Sequence, residues 1–333
     1  MRIALLYDTI TRVQDAGPLT ETAEAVLLAL EKGNHDVFPV RAERDLLGKL
    51  DLIRPELVFN IAAGIRHKGE QPLVAALLEL SGIPYTGSSY ATHTIATQKH
   101  LAKIVFQAMG LATPRFAVYT RKEAGGARRL GLSYPLMVKP AWEGSSVGIN
   151  CSNLVYSDEE LHKVVLSILT VYKQPALVEE FLPGREFTVA VLGTENPTVL
   201  PIEEIVTEEP VYTYAAKIED RVQYRWPELD QATASAITSL AKDAYLALGC
   251  RDYARVDIRM DASGRPHLLE VNTLPGLAAG YSEVPRIAEK AGISYTELIN
   301  RIADMAAERY AIWPGYGERP TVYLHGPGQS PIH

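Results

Sequence analysis

The first 90 residues alternate short apolar runs with helical segments that end at glycine, and this alternation restricts the fold more than any other feature of the chain. An apolar run of four to six residues predicts a buried strand, and apolar residues at helical spacing followed by glycine predict a helix and its end. Strands that alternate with helices are typical of a parallel α/β layer. The predicted strands are Ile3 to Leu6, Asp36 to Val40 and Glu56 to Ile61, and the predicted helices are Pro18 to Lys32 and Pro72 to Leu80.

Beyond residue 93 the pattern changes to that of an α+β fold, in which hairpins and isolated helices replace the regular alternation. Ser157 with Glu160 and Ser294 with Glu297 are capping boxes that predict helix starts, and Thr97 is a further candidate cap for a helix to Met109. The division we expect is 1–93, 94–182, 183–313 and an irregular tail, 314–333. Predicted strands are Phe116 to Tyr119, Leu136 to Lys139, Ala176 to Phe181, Phe187 to Leu192, Val199 to Ile205, Tyr253 to Met260 and His267 to Val271, with a helix from about Asp230 to Leu248.

Composition excludes several classes of protein. Apolar residues make up 47% and charged residues 22%, which argues against disorder. A net charge of -7 offers no general attraction to nucleic acid or to an anionic membrane, so an anionic ligand needs a local site. The chain has two cysteines, no signal peptide pattern and no apolar stretch of about 20 residues, and we therefore expect a cytoplasmic protein without a membrane span.

The segment from Lys139 to Gly148 joins a lysine at a strand end to a loop of small residues. Such a loop can turn backbone N–H groups toward phosphate oxygens while the lysine adds a positive charge. Gly144, Ser146 and Gly148 also match the GxSxG elbow of serine hydrolases, but that elbow requires a helix next, and strand and turn residues follow. On this segment alone, a solvent-facing hairpin loop and a phosphate-binding loop fit equally well.

A second constellation lies in a predicted hairpin, where Arg255 and Asp257 are on one strand and Glu270 and Asn272 on its partner. Because side chains two residues apart point to the same face, these four polar groups can converge on one sheet surface. Two carboxylates and an amide oxygen are suitable ligands for Mg²⁺ on nucleotide phosphates. A solvated sheet face with a cross-strand ion pair is the alternative, and it is the more common case.

Two further segments could contact a ligand. The backbone of Glu179 to Leu182 could meet an adenine edge while Glu186 accepts ribose hydroxyl protons, although an exposed acidic hairpin would show the same residues. The loop with Gly64 and Glu70 follows a predicted strand, so it is either a connector or a substrate-facing loop at the carboxyl end of that strand.

Taken together and in this order, these segments resemble the ATP-grasp ligases, and among them the D-alanine–D-alanine ligase family. The resemblance covers roughly residues 1–310, and it is strongest at residues 80–88, 138–148, 185–189, 212–217 and 269–276. It implies an ATP-grasp fold preceded by an N-terminal parallel α/β domain. It also implies ATP and Mg²⁺ or Mn²⁺ as cofactors, small amino acids as substrates, and a reaction that forms a dipeptide through an acyl phosphate for the bacterial cell wall. A homodimer is an assembly that the resemblance allows.

The resemblance also implies roles for individual residues. Arg255 would stabilise the oxyanion at the reacting carbonyl, while Ser145 and Lys217 would act from loops that close over the substrates. The residues expected at ATP are Lys99, Lys139, Glu143, Gly144, Ser146, Glu179, Glu180, Phe181, Leu182 and Glu186; those expected at the metal ions are Asp257, Glu270 and Asn272; and those expected at the amino acids are Asp15, Glu70, Tyr212, Gly276 and Ser282.

The chain departs from the family pattern where the amino acids would bind. Ile218 stands where the family usually has a tyrosine, and an isoleucine cannot make a hydrogen bond to Ser145. Tyr7-Asp8-Thr9 replaces the usual glycine turn, which leaves Asp15, Glu21 or neither to hold the first substrate's ammonium group. A ligase for another small amino acid or acceptor, a serine hydrolase using Ser146, and a non-catalytic nucleotide-binding protein are therefore the alternatives.

Overall fold

The computed structural model describes residues 1–8, 19–67, 69–120, 131–144, 147–207, 211 and 222–312. In these residues the chain forms three separate sheets, met one after another along the sequence. The predicted combination of a parallel α/β part and an α+β part is confirmed. Within these described ranges, no helix has the length and apolar character that crossing a membrane requires.

The first sheet is parallel, with strand order β2-β1-β3. Its central strand is buried at five of six positions and β3 at all four, as expected for parallel strands covered on both faces. Thr20 caps the first helix by accepting a hydrogen bond from the Ala23 amide at 3.2 Å. The elements are β1 (Arg2–Tyr7), α1 (Glu21–Lys32), β2 (Asp36–Arg41), α2 (Leu46–Ile53), β3 (Leu57–Asn60) and α3 (Gln71–Ser81).

Two helices follow, α4 (Tyr90–Thr97) and α5 (Lys99–Ala108). The prediction that Thr97 caps a helix was wrong, because Thr97 is the last residue of α4 and its hydroxyl donates back to the His93 carbonyl. The cap position of α5 is Gln98, which makes no side-chain capping bond. Ser89 caps α4 instead, by accepting from the Thr92 amide.

The second sheet is antiparallel, with strand order β4-β7-β5-β6. The helix α6 contacts β5, and Ser157 caps it as predicted by accepting from the Glu160 amide. The elements are β4 (Phe116–Tyr119), β5 (Leu136–Pro140), β6 (Leu154–Val155), α6 (Asp158–Ser167) and β7 (Ala176–Glu180).

The third sheet is also antiparallel, with strand order β11-β10-β8-β12-β13 and β9 paired to β8. The predicted strand Val199 to Ile205 is in fact two strands, β9 and β10, and Pro201, which has no N–H to donate, lies between them. The elements are β8 (Glu186–Leu192), β9 (Thr198–Val199), β10 (Glu203–Thr207), β11 (Val222–Arg225), α7 (Gln231–Ala247), β12 (Tyr253–Met260), β13 (Pro266–Asn272), α8 (Glu283–Lys290) and α9 (Tyr295–Ile312).

The last described helix packs against the first. The α9 helix contacts α1, and a shared apolar core includes Leu5 and Phe59 of the first sheet with Ile287 and Ile302 of the last two helices. The first and third sheets are thereby held together. The cleft described next lies on the face of β12 that carries Tyr253 of this core, because Arg255 and Asp257 follow Tyr253 at a spacing of two residues.

Candidate active site

A cleft lies between the second and third sheets and is lined by side chains from both. The space between these side chains is about 910 Å³, a volume that includes open solvent. Eleven of the predicted site residues line it, namely Lys99, Lys139, Glu143, Glu179, Glu180, Phe181, Leu182, Glu186, Arg255, Asp257 and Glu270.

Strands β12 and β13 bring the predicted Arg-x-Asp and Glu-x-Asn pairs together. Arg255 is opposite Asn272 and Asp257 is opposite Glu270 in the antiparallel register. The Asn272 amide nitrogen donates to Asp257 at 2.9 Å and to Glu270 at 3.3 Å. The predicted convergence on one sheet surface is confirmed, and the alternative of a solvated face is excluded because Asp257 is only 8% exposed.

These two carboxylates are balanced by positive charges. Lys99, the first residue of α5, forms an ion pair with Glu270, and Arg255 donates through Nε and Nη2 to the two oxygens of Asp257 at 2.9 and 2.8 Å. Burial alone would raise the pKa of Glu270, but Lys99 and Arg255 lower it to about 2. Glu270 is therefore ionised at neutral pH, in the form that binds a divalent cation. Two carboxylates with the amide oxygen of Asn272 are a suitable donor set for Mg²⁺.

A second charged cluster lies on the opposite wall of the cleft. Lys139 at the end of β5 forms an ion pair with Glu179 of β7, and Lys103 contacts the other oxygen of Glu179 at 3.0 Å. Burial would raise the pKa of Glu179, but Lys103 and Lys139 lower it to about 2. With Lys99, three lysines face the cleft, which can bind a polyanion in a protein of net negative charge.

Part of the segment expected to contact adenine already forms hydrogen bonds with the chain's own backbone. The N–H groups of Glu180 and Phe181 donate to the carbonyls of Arg115 and Pro135, at 2.9 and 3.0 Å. A base edge would therefore have to meet the carbonyl side of this segment or Leu182.

Glu186, the predicted ribose contact, is paired with an arginine that the sequence reasoning missed. Arg259 donates to Glu186 at 3.0 Å, and its guanidinium lies 4.9 Å from the centre of the Phe181 ring. Burial raises the pKa of Glu186, while Arg259 opposes this effect. Arg259 therefore fixes both Glu186 and Phe181 at one end of the cleft.

Described residues on both sides of Ser145 and Ser146 in the small-residue loop after Lys139 are joined by a hydrogen bond. The Val147 amide donates to the Gly144 carbonyl at 3.0 Å, and Glu143 accepts from the Gln174 side chain at 2.9 Å. Gly148 has φ of 75°, and a Cβ there would come 2.7 Å from Pro140 Cγ. The described residues 147–153 continue as turn, loop and a three-residue 3₁₀ helix, so the helix that a hydrolase elbow requires does not follow.

Two residues expected at the amino acids, Gly276 and Ser282, lie against each other in the loop between β13 and α8. The Ser282 hydroxyl accepts from the Ala278 amide at 3.1 Å, and a Cβ at position 276 would come 2.6 Å from that hydroxyl oxygen. The next residue, Glu283, reaches Arg255 Nη1 at 3.2 Å. Arg255 therefore links the sheet face that carries Asp257 to the helix that follows this loop.

In the N-terminal loops, two buried carboxylates bind the chain's own backbone. Glu70 accepts from the Ile65 and Arg66 amides at 3.0 and 2.7 Å and also pairs with the Arg66 side chain. Burial would raise the pKa of Glu70, but these hydrogen bonds lower it to about 2. Asp8 accepts from the Ala63 amide. Glu70 is thus built into its loop, which does not favour the expected contact with a substrate.

Five predicted site residues lie outside the described ranges: Asp15, Ser145, Ser146, Tyr212 and Lys217. The alternative candidate Glu21 is an exposed residue in the first turn of α1.

Sequence reasoning missed four polar residues around the cleft, of which Arg259 is half-buried and the others are buried, and three of the four carried a signal. Lys103 is four residues after Lys99 and therefore on the same helix face, Arg259 continues the period of Arg255 and Asp257 along β12, and Thr188 is opposite Asp257 in β8 and donates to it at 2.7 Å. The fourth residue, Glu283, reaches the site through a loop whose path the sequence pattern does not indicate.

Comparisons with known proteins agree with this geometry. The family described as D-ala D-ala ligase C-terminus matches residues 105–304. An uncharacterized protein, y4sG, from Sinorhizobium fredii is 36% identical over 307 residues, which are 88% of this chain and 89% of that protein. A D-alanine–D-alanine ligase from Moorella thermoacetica is 34% identical over 325 residues, 92% of this chain and all of that protein.

Solved structures show the same similarity. The crystal structure of a Bacillus anthracis D-alanine–D-alanine ligase complexed with ATP matches with a TM-score of 0.74 at 25% identity. The match covers 94% of this chain and 99% of that one. The three sheets therefore follow the architecture of an ATP-binding ligase along nearly the whole chain.

Proposed function

This chain belongs to the D-alanine–D-alanine ligase family, and we propose that it joins D-alanine to a second D-alanine with conversion of ATP to ADP and phosphate. The observation that carries this proposal is the pair of charged clusters in one cleft. Lys99, Lys103 and Lys139 line the cleft together with the carboxylates of Asp257 and Glu270, and Lys99 is paired with Glu270. A triphosphate with its divalent ions needs both sets of charges.

In this proposal the three lysines hold the phosphates of ATP, and Lys99 and Lys139 exchange their present carboxylate partners for phosphate oxygens. Asp257, Glu270 and Asn272 would hold Mg²⁺ or Mn²⁺. When bound, the ions would neutralise the charge that spreads over the transferred phosphoryl group. Glu186 would accept hydrogen bonds from the ribose, with Arg259 holding it in place.

The chemistry has two steps. A carboxylate oxygen of the first D-alanine attacks the γ-phosphorus of ATP, which breaks the bond to ADP and forms an acyl phosphate. The amine of the second D-alanine then attacks the acyl carbon, and phosphate leaves with the electron pair of the C–O bond. Arg255 would stabilise the oxyanion in this second step, and its charge is secured because Asp257 and Glu283 raise its pKa well above the usual value despite burial.

Further residues would border the phosphates or contact the substrates. Gly144, Glu143 and Ser146 would border the phosphates, and Ser145, Lys217 and Tyr212 would act from the closing loops. Asp15 is proposed at the first substrate's ammonium group, and Gly276 and Ser282 are proposed at the second substrate. The loop geometry of Glu70 supports a role in shaping the substrate loop more than direct contact.

The experiment is a coupled assay of ADP and phosphate release, with the product identified by mass spectrometry. D-Alanine should stimulate ADP release, and one D-alanyl-D-alanine should form per ATP. A panel of other D- and L-amino acids tests the altered N-terminal loops. ATP binding without turnover on any member of the panel would indicate a nucleotide-binding protein instead.

Location and assembly are also proposals. A cytoplasmic protein is supported by two cysteines that form no disulfide, Cys151 and Cys250. A homodimer is supported by the apolar side chains that α3 and α4 expose, with Leu80 74% and Tyr90 50% accessible. Measuring the molar mass in solution by light scattering, for wild type and Leu80→Glu, tests the dimer.

A further inference from the structure

Glu283 is a buried carboxylate beside the reacting centre, and the mechanism above gives it no role except to stabilise the charge of Arg255. It is the first residue of α8, it is 8% exposed, and its Oε2 lies 3.2 Å from Arg255 Nη1. Buried carboxylates are rare unless they are paired, and those near a reacting centre are candidates for acid–base roles.

The direction from which Glu283 approaches Arg255 matters. Asp257 occupies the edge formed by Nε and Nη2, whereas Glu283 contacts the remaining nitrogen, Nη1. The guanidinium therefore separates the metal-binding carboxylates from Glu283. If Arg255 meets the reacting carbonyl, nucleotide and metal are on the Asp257 side, and the second substrate approaches on the side of Glu283 and the loop of Gly276 and Ser282.

The charges around Glu283 favour a cation. It is faced by Arg255 from β12, by Glu203 from β10 and by Arg286 from its own helix, and Asp257 lies behind Arg255. Arg286 is committed to Glu203, to which it donates through Nε and Nη2 at 2.6 and 2.8 Å. Burial raises the pKa of Glu203, Arg286 opposes the effect, and the charge of Glu283 adds to it. Among the described side chains around this point, three are carboxylates and two are arginines.

The Ser282 hydroxyl and Arg255 Nη1 are the groups on this side that could bind a carboxylate of the second substrate, and both already have partners. The Ser282 hydroxyl is used within its own loop, and the Nη1 of Arg255 is in contact with Glu283. An incoming carboxylate would meet the negative charge of Glu283, whereas an incoming ammonium group would be attracted to it.

From this arrangement we propose that Glu283 is a further catalytic residue, which binds the ammonium group of the second substrate and takes its proton. The inference rests on the proposed function, because it requires the second substrate to be an amine. One N–H bond of the ammonium group breaks and its proton passes to a Glu283 oxygen. The freed electron pair forms the C–N bond to the acyl carbon, phosphate leaves with the electrons of the broken C–O bond, and the second proton that the nitrogen loses passes to this phosphate.

The test is Glu283→Gln, which keeps the size of the side chain and removes its charge and basicity. Glu289→Gln is the matched control, because Glu289 is an exposed residue of the same helix. Two readouts separate the steps: dipeptide formation, and positional isotope exchange in ATP that carries ¹⁸O at the β–γ bridge, which reports reversible acyl phosphate formation.

We expect Glu283→Gln to lower kcat for dipeptide formation by about 10²-fold, while isotope exchange persists, because general base catalysis contributes about 10²–10⁴. The pH profile should change as well. The wild-type rate should be flat near neutral pH, whereas the variant rate should rise about tenfold per pH unit below the pKa of the amine, since only free amine can then react.

Other results would overturn the proposal. Wild-type turnover with an unchanged pH profile in Glu283→Gln would show that the carboxylate is not needed. Loss of both dipeptide formation and isotope exchange would show that Glu283 acts only by positioning Arg255. Absence of exchange and turnover in the wild type would instead contradict the proposed ligase function itself.

Discussion

Asp252 and Asp257 lie five residues apart at the two ends of one short stretch of chain, and both are buried beside an arginine. Asp252, just before β12, is fully buried, and its oxygens accept from the Gly87 amide at 2.7 Å and from Arg309 at 2.8 Å. These donors come from the N-terminal part of the chain and from α9. Asp252 therefore joins distant segments in a closed set of hydrogen bonds.

Asp257, in the middle of β12, has a different environment. Its partners Arg255, Thr188 and Asn272 contact it through side chains, and Glu270 brings a second negative charge to the same face. This cluster lines an open cleft, and a bound cation would complete it. A buried charge whose partners join distant segments therefore serves stability. A buried charge that shares an open cleft with a second carboxylate serves the binding of a ligand.

The strongest way to test this contrast is Glu270→Gln in the cleft. Phosphate release should fall by about 10³-fold, because one carboxylate at the proposed metal ions is lost. The thermal unfolding temperature should fall as well, since Lys99 loses its carboxylate partner, but by less than in Asp252→Asn, because Glu270 is partly exposed whereas Asp252 is fully buried. A steady-state phosphate assay and calorimetry measure both, with Glu289→Gln as control. Turnover within tenfold of wild type would contradict the metal assignment.

The reverse effect is expected for Asp252→Asn. Asparagine tolerates the φ of 65° at this position, so the substitution removes mainly the charge. Arg309 would then be buried without its carboxylate, which should lower the free energy of unfolding by about 3 kcal/mol. Urea denaturation measures this loss. With saturating substrates, kcat should change little. A loss of kcat as large as that of Glu270→Gln would contradict the assignment of Asp252 to stability and of the cleft carboxylates to ligand binding.

Glu70, like Asp252, should contribute to the stability of the fold, and this contribution should appear in the pH dependence of the free energy of unfolding. Its pKa falls from 4.5 in the unfolded chain to about 2 in the folded protein, so the unfolded state binds more protons between these values. The contribution of Glu70 is fully present above pH 4.5 and is lost as the pH falls toward 2. Stability of Glu70→Gln, measured by urea denaturation from pH 6 to pH 3, should therefore depend less on pH than that of wild type. Identical slopes would contradict the loop assignment.

The smallest effect is expected at Gly148, at the edge of the cleft. An alanine there would be strained at φ of 75° and would press on Pro140, so stability should fall by about 1 kcal/mol. Gly144→Ala is the matched control for stability, since no atom lies within 4 Å of its Cβ position. Equal stability of the two variants in thermal unfolding would contradict the described turn.

Much of the cleft could be predicted because regular structure places it. The period of two along β12 and β13 is enough to put Arg255, Asp257, Glu270 and Asn272 on one face. Strand ends likewise located Lys139 and Glu179. The missed residue Lys103 was accessible by the same reasoning, through its helical spacing from Lys99.

The rest depends on features that have no period. The α4 helix was not predicted because its buried face includes the polar residues Thr92 and His93, the latter bonded to Thr273 at 2.7 Å across 180 residues. Glu70 turns inward toward the amides of its own loop. Backbone geometry sets this turn, and because the sequence pattern does not show it, the sequence suggested a contact with substrate. Glu283 reaches Arg255 only because the loop after Gly276 folds back on Ser282.

The central claim is that a carboxylate of D-alanine attacks ATP in this cleft and leaves its oxygen on phosphate. Supplying D-alanine with ¹⁸O in its carboxylate and analysing the released phosphate by mass spectrometry tests this directly. The account predicts one ¹⁸O in each phosphate and D-alanyl-D-alanine as the product. Phosphate released without the label would show that water, and not the amino acid, attacks ATP, and would contradict the account.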